Sequence, residues 1–174
     1  MAILLTNYAL NSFPNVKLFD FIVFSAGYLL GFRRGAGIAV VSWYIYGQAN
    51  PWGSVSFDLL VTLMASEMIY AAAGAFCRHQ LNKNQTALRF PKTAMYFLLS
   101  AIICTTLYDL FTNIHTGLIW ADLSGSGNHA RWILTSVLGH GALIFYASHL
   151  LSNAIVFTTL GPVLLKKITI VNPP

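Results

Sequence analysis

Apolar residues fall along the chain in six blocks, about 1–12, 17–31, 34–48, 57–79, 92–112 and 133–165. The breaks between them are Phe13-Pro14-Asn15, Phe32-Arg33-Arg34, Ala49-Asn50-Pro51-Trp52-Gly53, the polar run from Arg78 to Lys92 and the stretch from Thr112 to Trp132. An α-helix rises 1.5 Å per residue, so about 20 apolar residues cross a hydrocarbon core of about 30 Å. Proline bars the residue before it from helical geometry, which makes the proline-bearing breaks natural helix ends. The pattern therefore predicts an all-α integral membrane protein, a bundle of about six transmembrane helices forming one membrane domain over residues 1–174. The first block is too short for a full span and predicts a truncated helix. The second and third, at about 15 residues each, reach only about 22 Å and predict a short, tilted pair.

Composition supports the same class. Of 174 residues, 56% are hydrophobic and 9% charged, against about 25% charged in a soluble domain. If the blocks alternate across the bilayer, Arg33, Arg34, Arg78, Lys83, Arg89, Lys92, Lys166 and Lys167 share one side, and only Lys17 and Arg131 take the other. Loops rich in Lys and Arg stay in the cytoplasm. That bias predicts a multi-pass protein of the cell membrane with its C-terminus cytoplasmic. Asp20, Asp58, Asp109 and Asp122 then fall toward the outer side, as do Trp43, Trp52, Trp120 and Trp132. One-sided tryptophan suits an interfacial belt joined to an aromatic-lined outward pocket. The net charge of +5 is scattered in small groups, which argues against a nucleic-acid partner and leaves membrane lipids as the surroundings.

Polar groups inside an apolar block need a purpose, because an ionisable side chain in hydrocarbon is costly unless it faces a bundle interior or a wet cavity. The densest case is Tyr108 to Gly117, at the end of the fifth block. Asp109 and Asn113 are four apart and share a helical face, with Tyr108 as an aromatic wall. The competing reading makes this a helix end whose Asp, Thr and Asn cap the following loop. Glu67 sits in the middle of the fourth block and must pair, hydrogen-bond or stay protonated. Tyr146, His149 and Asn153 recur at three and four residues and form one polar face. His115, His129 and His140 lie toward the outer side, but no i,i+4 histidine pair and no Cys/His cluster supports a metal. Cys77 and Cys104 have no metal or redox spacing.

Small residues offer a second theme. Gly27, Gly31 and Gly35, with Ala71 and Ala75, let helices approach closely, either within the bundle or as a docking face for a partner subunit. No phosphate-binding glycine loop, Gly-x-Ser-x-Gly elbow or His-Glu-x-x-His is present, so the sequence predicts no ATPase, no enzyme and no cofactor.

Six blocks, the Phe13-Pro14-Asn15-Val16 turn, Gly31-Phe32-Arg33-Arg34-Gly35-Ala36, Tyr46-Gly47 before Asn50-Pro51-Trp52-Gly53, the Tyr108 to Gly117 stretch, and His149-Leu150-Leu151-Ser152-Asn153 with Gly161-Pro162 resemble the substrate-binding S components of energy-coupling factor transporters. The resemblance implies a six-helix protein that captures a vitamin-like micronutrient from outside, beneath loops that correspond to the regions around Asn15, Asn50 and Asn113 to Trp120. It also implies partners: a transmembrane coupling subunit and two cytoplasmic ATPases. The chain does not open with Met-His, so the amino-terminal metal site of nickel and cobalt members is not implied.

The expected binding set for an aromatic or heterocyclic small-molecule substrate is Trp43, Asn50, Trp52, Tyr108, Asp109, Asn113, His115 and Trp120, with Glu67, His149 and Asn153 deeper. The alternative is a non-catalytic structural or accessory subunit, surrounded by other membrane subunits and carrying no cargo.

Overall fold

A computed structural model describes residues 1–13, 15–51, 53–83 and 90–171. It is helical throughout its regular structure: α1 (Ala2–Ala9), α2 (Phe19–Leu30), α3 (Phe32–Gln48), α4 (Phe57–Lys83), α5 (Phe90–Leu123), α6 (His129–Leu138) and α7 (His140–Val171). Among the described residues three stretches are long and apolar enough to cross a membrane, Phe57–Leu81, Thr93–Leu123 and His140–Val163. The all-α membrane class read from the sequence is the class observed. The first block forms only the eight residues of α1, and the second the 12 of α2, which at 1.5 Å each is about 18 Å.

Two boundaries differ from the hydrophobic pattern. The stretch from Thr112 to Trp132 is not a loop, because α5 runs on to Leu123 and only residues 124–128 link it to α6. Its polar side chains do not break the helix because the helix satisfies them. Thr112 Oγ1 donates to the carbonyl of Tyr108 at 3.0 Å, and Thr116 Oγ1 to that of Thr112 at 2.9 Å. Asp109 and Asn113, well inside α5, therefore cap no loop. The sixth block is broken too: Gly139, extended at φ −63 and ψ 151, separates α6 from α7. Asn128 starts α6 as its N-cap, its side chain accepting from Arg131 N at 3.1 Å.

The centre of the bundle is built by close backbone approach. Gly31 turns α2 into α3 at φ 85, a left-handed geometry that side chains with a Cβ resist. A Cβ at Gly27 would lie 2.8 Å from Ala71 Cα, and one at Gly35 would lie 2.8 Å from Gly27 Cα. Gly27, Gly35 and Ala71 are all buried, so three of the five expected docking residues pack α2, α3 and α4 together. Gly31 occupies the turn, and Ala75 is half-buried on α4. Beside this contact Phe24 stacks edge-on with Phe157 at 5.0 Å and packs on Phe97 at 5.3 Å. Gly161 lets α7 settle onto the Phe97 ring.

Polarity is turned outside in. Ile102, Ile103, Ile144, Leu151 and Ile155 are exposed, whereas Asp20, Glu67, Thr105, His149 and Asn153 are buried. A bundle bathed in hydrocarbon has this arrangement, since apolar side chains lose nothing by facing lipid and polar ones need protein partners. Most of the basic residues gather at one end. Arg33 and Arg34 open α3 beside the Gly31 turn, Arg78 Nη1 donates to the Leu29 carbonyl at 3.0 Å, Lys83 closes α4, Lys92 lies in the first turn of α5 and Lys166 and Lys167 lie in the last turns of α7. Arg89 lies outside the described residues.

Candidate functional site

At the opposite end, the start of α2 and the middle of α5 meet α7. Asp20 is in the first turn of α2, and its Oδ2 lies 2.6 Å from His149 Nε2. The other ring nitrogen of His149, Nδ1, lies 3.0 and 3.2 Å from the two carboxylate oxygens of Asp109. One imidazole on α7 thus joins a carboxylate 129 residues before it to another 40 residues before it. Asn153, one helical turn further along α7, donates from Nδ2 to Asp20 Oδ2 at 2.7 Å. The same nitrogen lies 2.9 Å from Thr105 Oγ1 and 3.1 Å from the Tyr70 hydroxyl, and those two hydroxyls are 3.0 Å apart. Four helices are therefore tied by one polar network within the apolar bundle. The network is graded in burial: the side chains of Asp20 and His149 are 3% and 2% exposed, that of Asp109 13%.

A second buried acid stands beside it. Trp43 Nε1 donates to Glu67 Oε2 at 3.1 Å, while Glu67 Oε1 has no partner among the described residues. Trp43 in turn stacks on Phe19, with ring centroids 5.1 Å apart and planes 24° apart. Replacing Trp43 with phenylalanine would leave both oxygens of Glu67 unpartnered. A buried polar group left without its partner costs about 1–3 kcal/mol, so the unfolding midpoint should fall by roughly 2–12 °C. Adding Glu67→Met in the Trp43→Phe background should restore part of the loss, and a thermal melt that shows no fall in the single variant would contradict this account.

Above Asp109 opens a cavity of about 260 Å³. Its walls are Asn15 and Lys17 ahead of α2, Trp43 on α3, Leu63 on α4, Tyr108, Asp109, Thr112 and Asn113 on α5, and Ala142, Phe145 and Tyr146 on α7. Asn15 has φ 56, a conformation asparagine tolerates better than most residues, and its Nδ2 donates to the Phe145 carbonyl at 3.2 Å. That bond ties the α1–α2 connection across the cavity to α7. Lys17 holds its ammonium 5.6 Å from the centroid of the Trp43 ring. Tyr146 hydrogen-bonds Thr106 hydroxyl to hydroxyl at 2.9 Å.

The expected binding residues separate into groups. Trp43, Tyr108, Asp109 and Asn113 line the cavity, with Glu67, His149 and Asn153 buried beneath it. His115 does not line it: its Nε2 pairs with Asp58 Oδ2 at 3.2 Å. With side-chain exposures of 19% and 48% for His115 and Asp58, that pair is screened by solvent and contributes little, and His115→Ala should leave the unfolding midpoint close to that of the parent. Trp120 packs edge-on against Trp132 at 6.3 Å, away from the cavity. Asn50 sits in the α3–α4 connection, where its carbonyl accepts from Gly53 N at 3.0 Å. Trp52 lies outside the described residues.

Sequence reading undervalued three groups. Asp20 counted only as an outer-side charge, although an acid in the first turn of an apolar helix is itself a functional signal. Lys17 counted only toward the charge balance. Phe145 carries no signal of its own, because nothing in its type separates a cavity wall from a lipid face.

The chain matches no protein-family model, no curated protein and no solved structure.

Proposed function

We propose that this protein is the substrate-capture subunit of an energy-coupling factor type importer, taking a small vitamin-like molecule of aromatic or heterocyclic character into the cavity beside Asp109. The observation that carries the reading is the cavity. It places the rings of Trp43, Tyr108, Phe145 and Tyr146 around Lys17, Asp109 and Asn113, the mixture of apolar wall and few fixed polar groups that small-molecule sites use. It sits at the end of the bundle remote from Arg33, Arg34 and Arg78. With the basic end in the cytoplasm, the cavity faces out and the C-terminus lies inside. Asn15, within the turn that carries part of the sequence resemblance, lies in the cavity wall. The subunit binds rather than catalyses, and depends on a transmembrane coupling subunit and cytoplasmic ATPases for power.

The test is to tag the protein in its native membrane, purify it with its companions and identify them by mass spectrometry. A coupling subunit with two ATPases is the expected result. Recovery of subunits of an oxidoreductase or another assembly, without ATPases, would overturn the importer reading in favour of a structural subunit.

A further inference from the structure

The cavity holds one carboxylate and one ammonium that do not pair with each other. Asp109 is on the α5 wall and Lys17 on the wall ahead of α2. Among the described residues the ion pairs of Asp109 and Asp20 are with His149, and Lys17 forms no ion pair. Its ammonium rests over the Trp43 ring instead.

Proton counting fixes the charge on the Asp109 side. Each of the two contacts of His149, to Asp20 and to Asp109, needs one proton between nitrogen and oxygen. Two protons shared among two carboxylates and one imidazole leave one unit of negative charge, wherever each proton resides. Asp20 is enclosed, its Oδ2 held by His149 and Asn153, so Asp109 is the member of the set that meets the cavity. A carboxylate has about four lone-pair sites, and the one N–H from His149 leaves Asp109 with acceptor capacity there. Lys17 contributes one positive charge on the other wall. The cavity is thus balanced overall but polarised across its width, with the indole of Trp43 and the phenol of Tyr108 also in its lining.

We propose that the ligand is a small zwitterion built on a flat ring, its protonated nitrogen against Asp109 and its carboxylate or other anionic group against Lys17. This rests on the reading of the cavity as the cargo site and names the cargo's charge pattern. A ligand with only one of the two charges would leave the opposite wall charge desolvated and unpaired, which is costly in a low-dielectric site. A neutral ring would leave both.

The test uses purified full-length protein in lipid nanodiscs and three probes of one shape: para-(aminomethyl)benzoate, which carries both charges, its methyl ester, which carries only the cation, and para-(hydroxymethyl)benzoate, which carries only the anion. Calorimetric titration should give the zwitterion an affinity at least about tenfold above either partner, since a charged hydrogen bond is worth that factor or more. Lys17→Met should erase the advantage over the ester, Lys17→Arg should keep it, and Asp109→Asn should erase the advantage over the anion. Lys17 lies outside the buried network, so its variants test the idea even where Asp109→Asn folds poorly. Equal binding of all three probes, binding of none, or a preference untouched by Lys17→Met would overturn the proposal. The two readings fail separately. ATPases recovered with the protein but no zwitterion preference leaves the importer without this cargo class. A zwitterion preference with no ATPases leaves the cargo class without the importer.

Discussion

His149→Ala is expected to be the most damaging single substitution within the polar network. The imidazole is the shared partner of Asp20 and Asp109, and removing one member of a buried charged set costs about 3–5 kcal/mol because the remaining charges stay buried without compensation. For a chain of this size that lowers the unfolding midpoint by roughly 6–20 °C. The loss arises from the stranded acids rather than from lost packing, and the two causes are separable. In the His149→Ala background, Asp20→Asn and Asp109→Asn remove the charges without refilling the space. If stranded charge dominates, the triple variant is more stable than the single one. If the empty volume dominates, it is no better. Melting curves of the purified protein in detergent, followed by intrinsic fluorescence and checked for monodispersity, decide between them. A single variant melting within about 2 °C of the parent would show that the network does not hold the helices together.

That network also marks where sequence reading stops. Asp109, His149 and Asn153 were legible as polar residues on apolar segments, because hydrocarbon makes each of them expensive. Their partnership was not, since Asp20 and His149 lie at opposite ends of the chain and nothing in either local pattern points to the other. The helix class followed from block lengths and charge scarcity, and the gathering of Arg33, Arg34 and Arg78 at one end followed from alternation of the blocks. The extent of α5 did not follow. A run of Thr, Asn and His resembles a loop by composition, yet Thr112 and Thr116 spend their hydroxyls on carbonyls one turn back, so the polarity is absorbed within the helix. The same stretch faces α6: a Cβ on Gly117 would lie 2.6 Å from Ile133 Cα, and Ser136 Oγ donates to the Asn113 carbonyl at 2.7 Å. Asn113 therefore contributes its backbone to the α5–α6 contact while lining the cavity. Position along the sequence put it in the outer polar cluster, and only the three-dimensional contact explains why the helix continues past it.

Gly74→Leu is expected to unfold the bundle although Gly74 does not line the cavity. A Cβ at Gly74 would run into the carbonyl oxygen of Phe24 and lie 2.8 Å from the backbone nitrogen of Tyr28. These are backbone atoms of α2, so no side chain can swing aside and the helices themselves must part. Overpacking against adaptable side chains costs about 1–3 kcal/mol and occasionally more; here the cost should reach the upper end with alanine and exceed it with leucine. Gly37 supplies the contrast on α3, where a Cβ would meet nothing within 4 Å. Gly37→Ala should be neutral or stabilising by up to about 1 kcal/mol through helix propensity, so glycine content alone does not set the outcome. The site should register the same displacement. Asp20 rides on α2 and Glu67 on α4, and Glu67 is about 10 Å along its helix from Gly74 at 1.5 Å per residue. Parting α2 from α4 draws Asp20 away from the α4 face that carries Tyr70, and Tyr70 is bound to the Asn153 that also holds Asp20. Gly74→Ala, the milder variant, should therefore weaken binding of the proposed ligand as well as lower the melting temperature, whereas Gly37→Ala should change neither for the worse. Should Gly74→Ala melt with the parent, the close α2–α4 contact is not what positions Asp20.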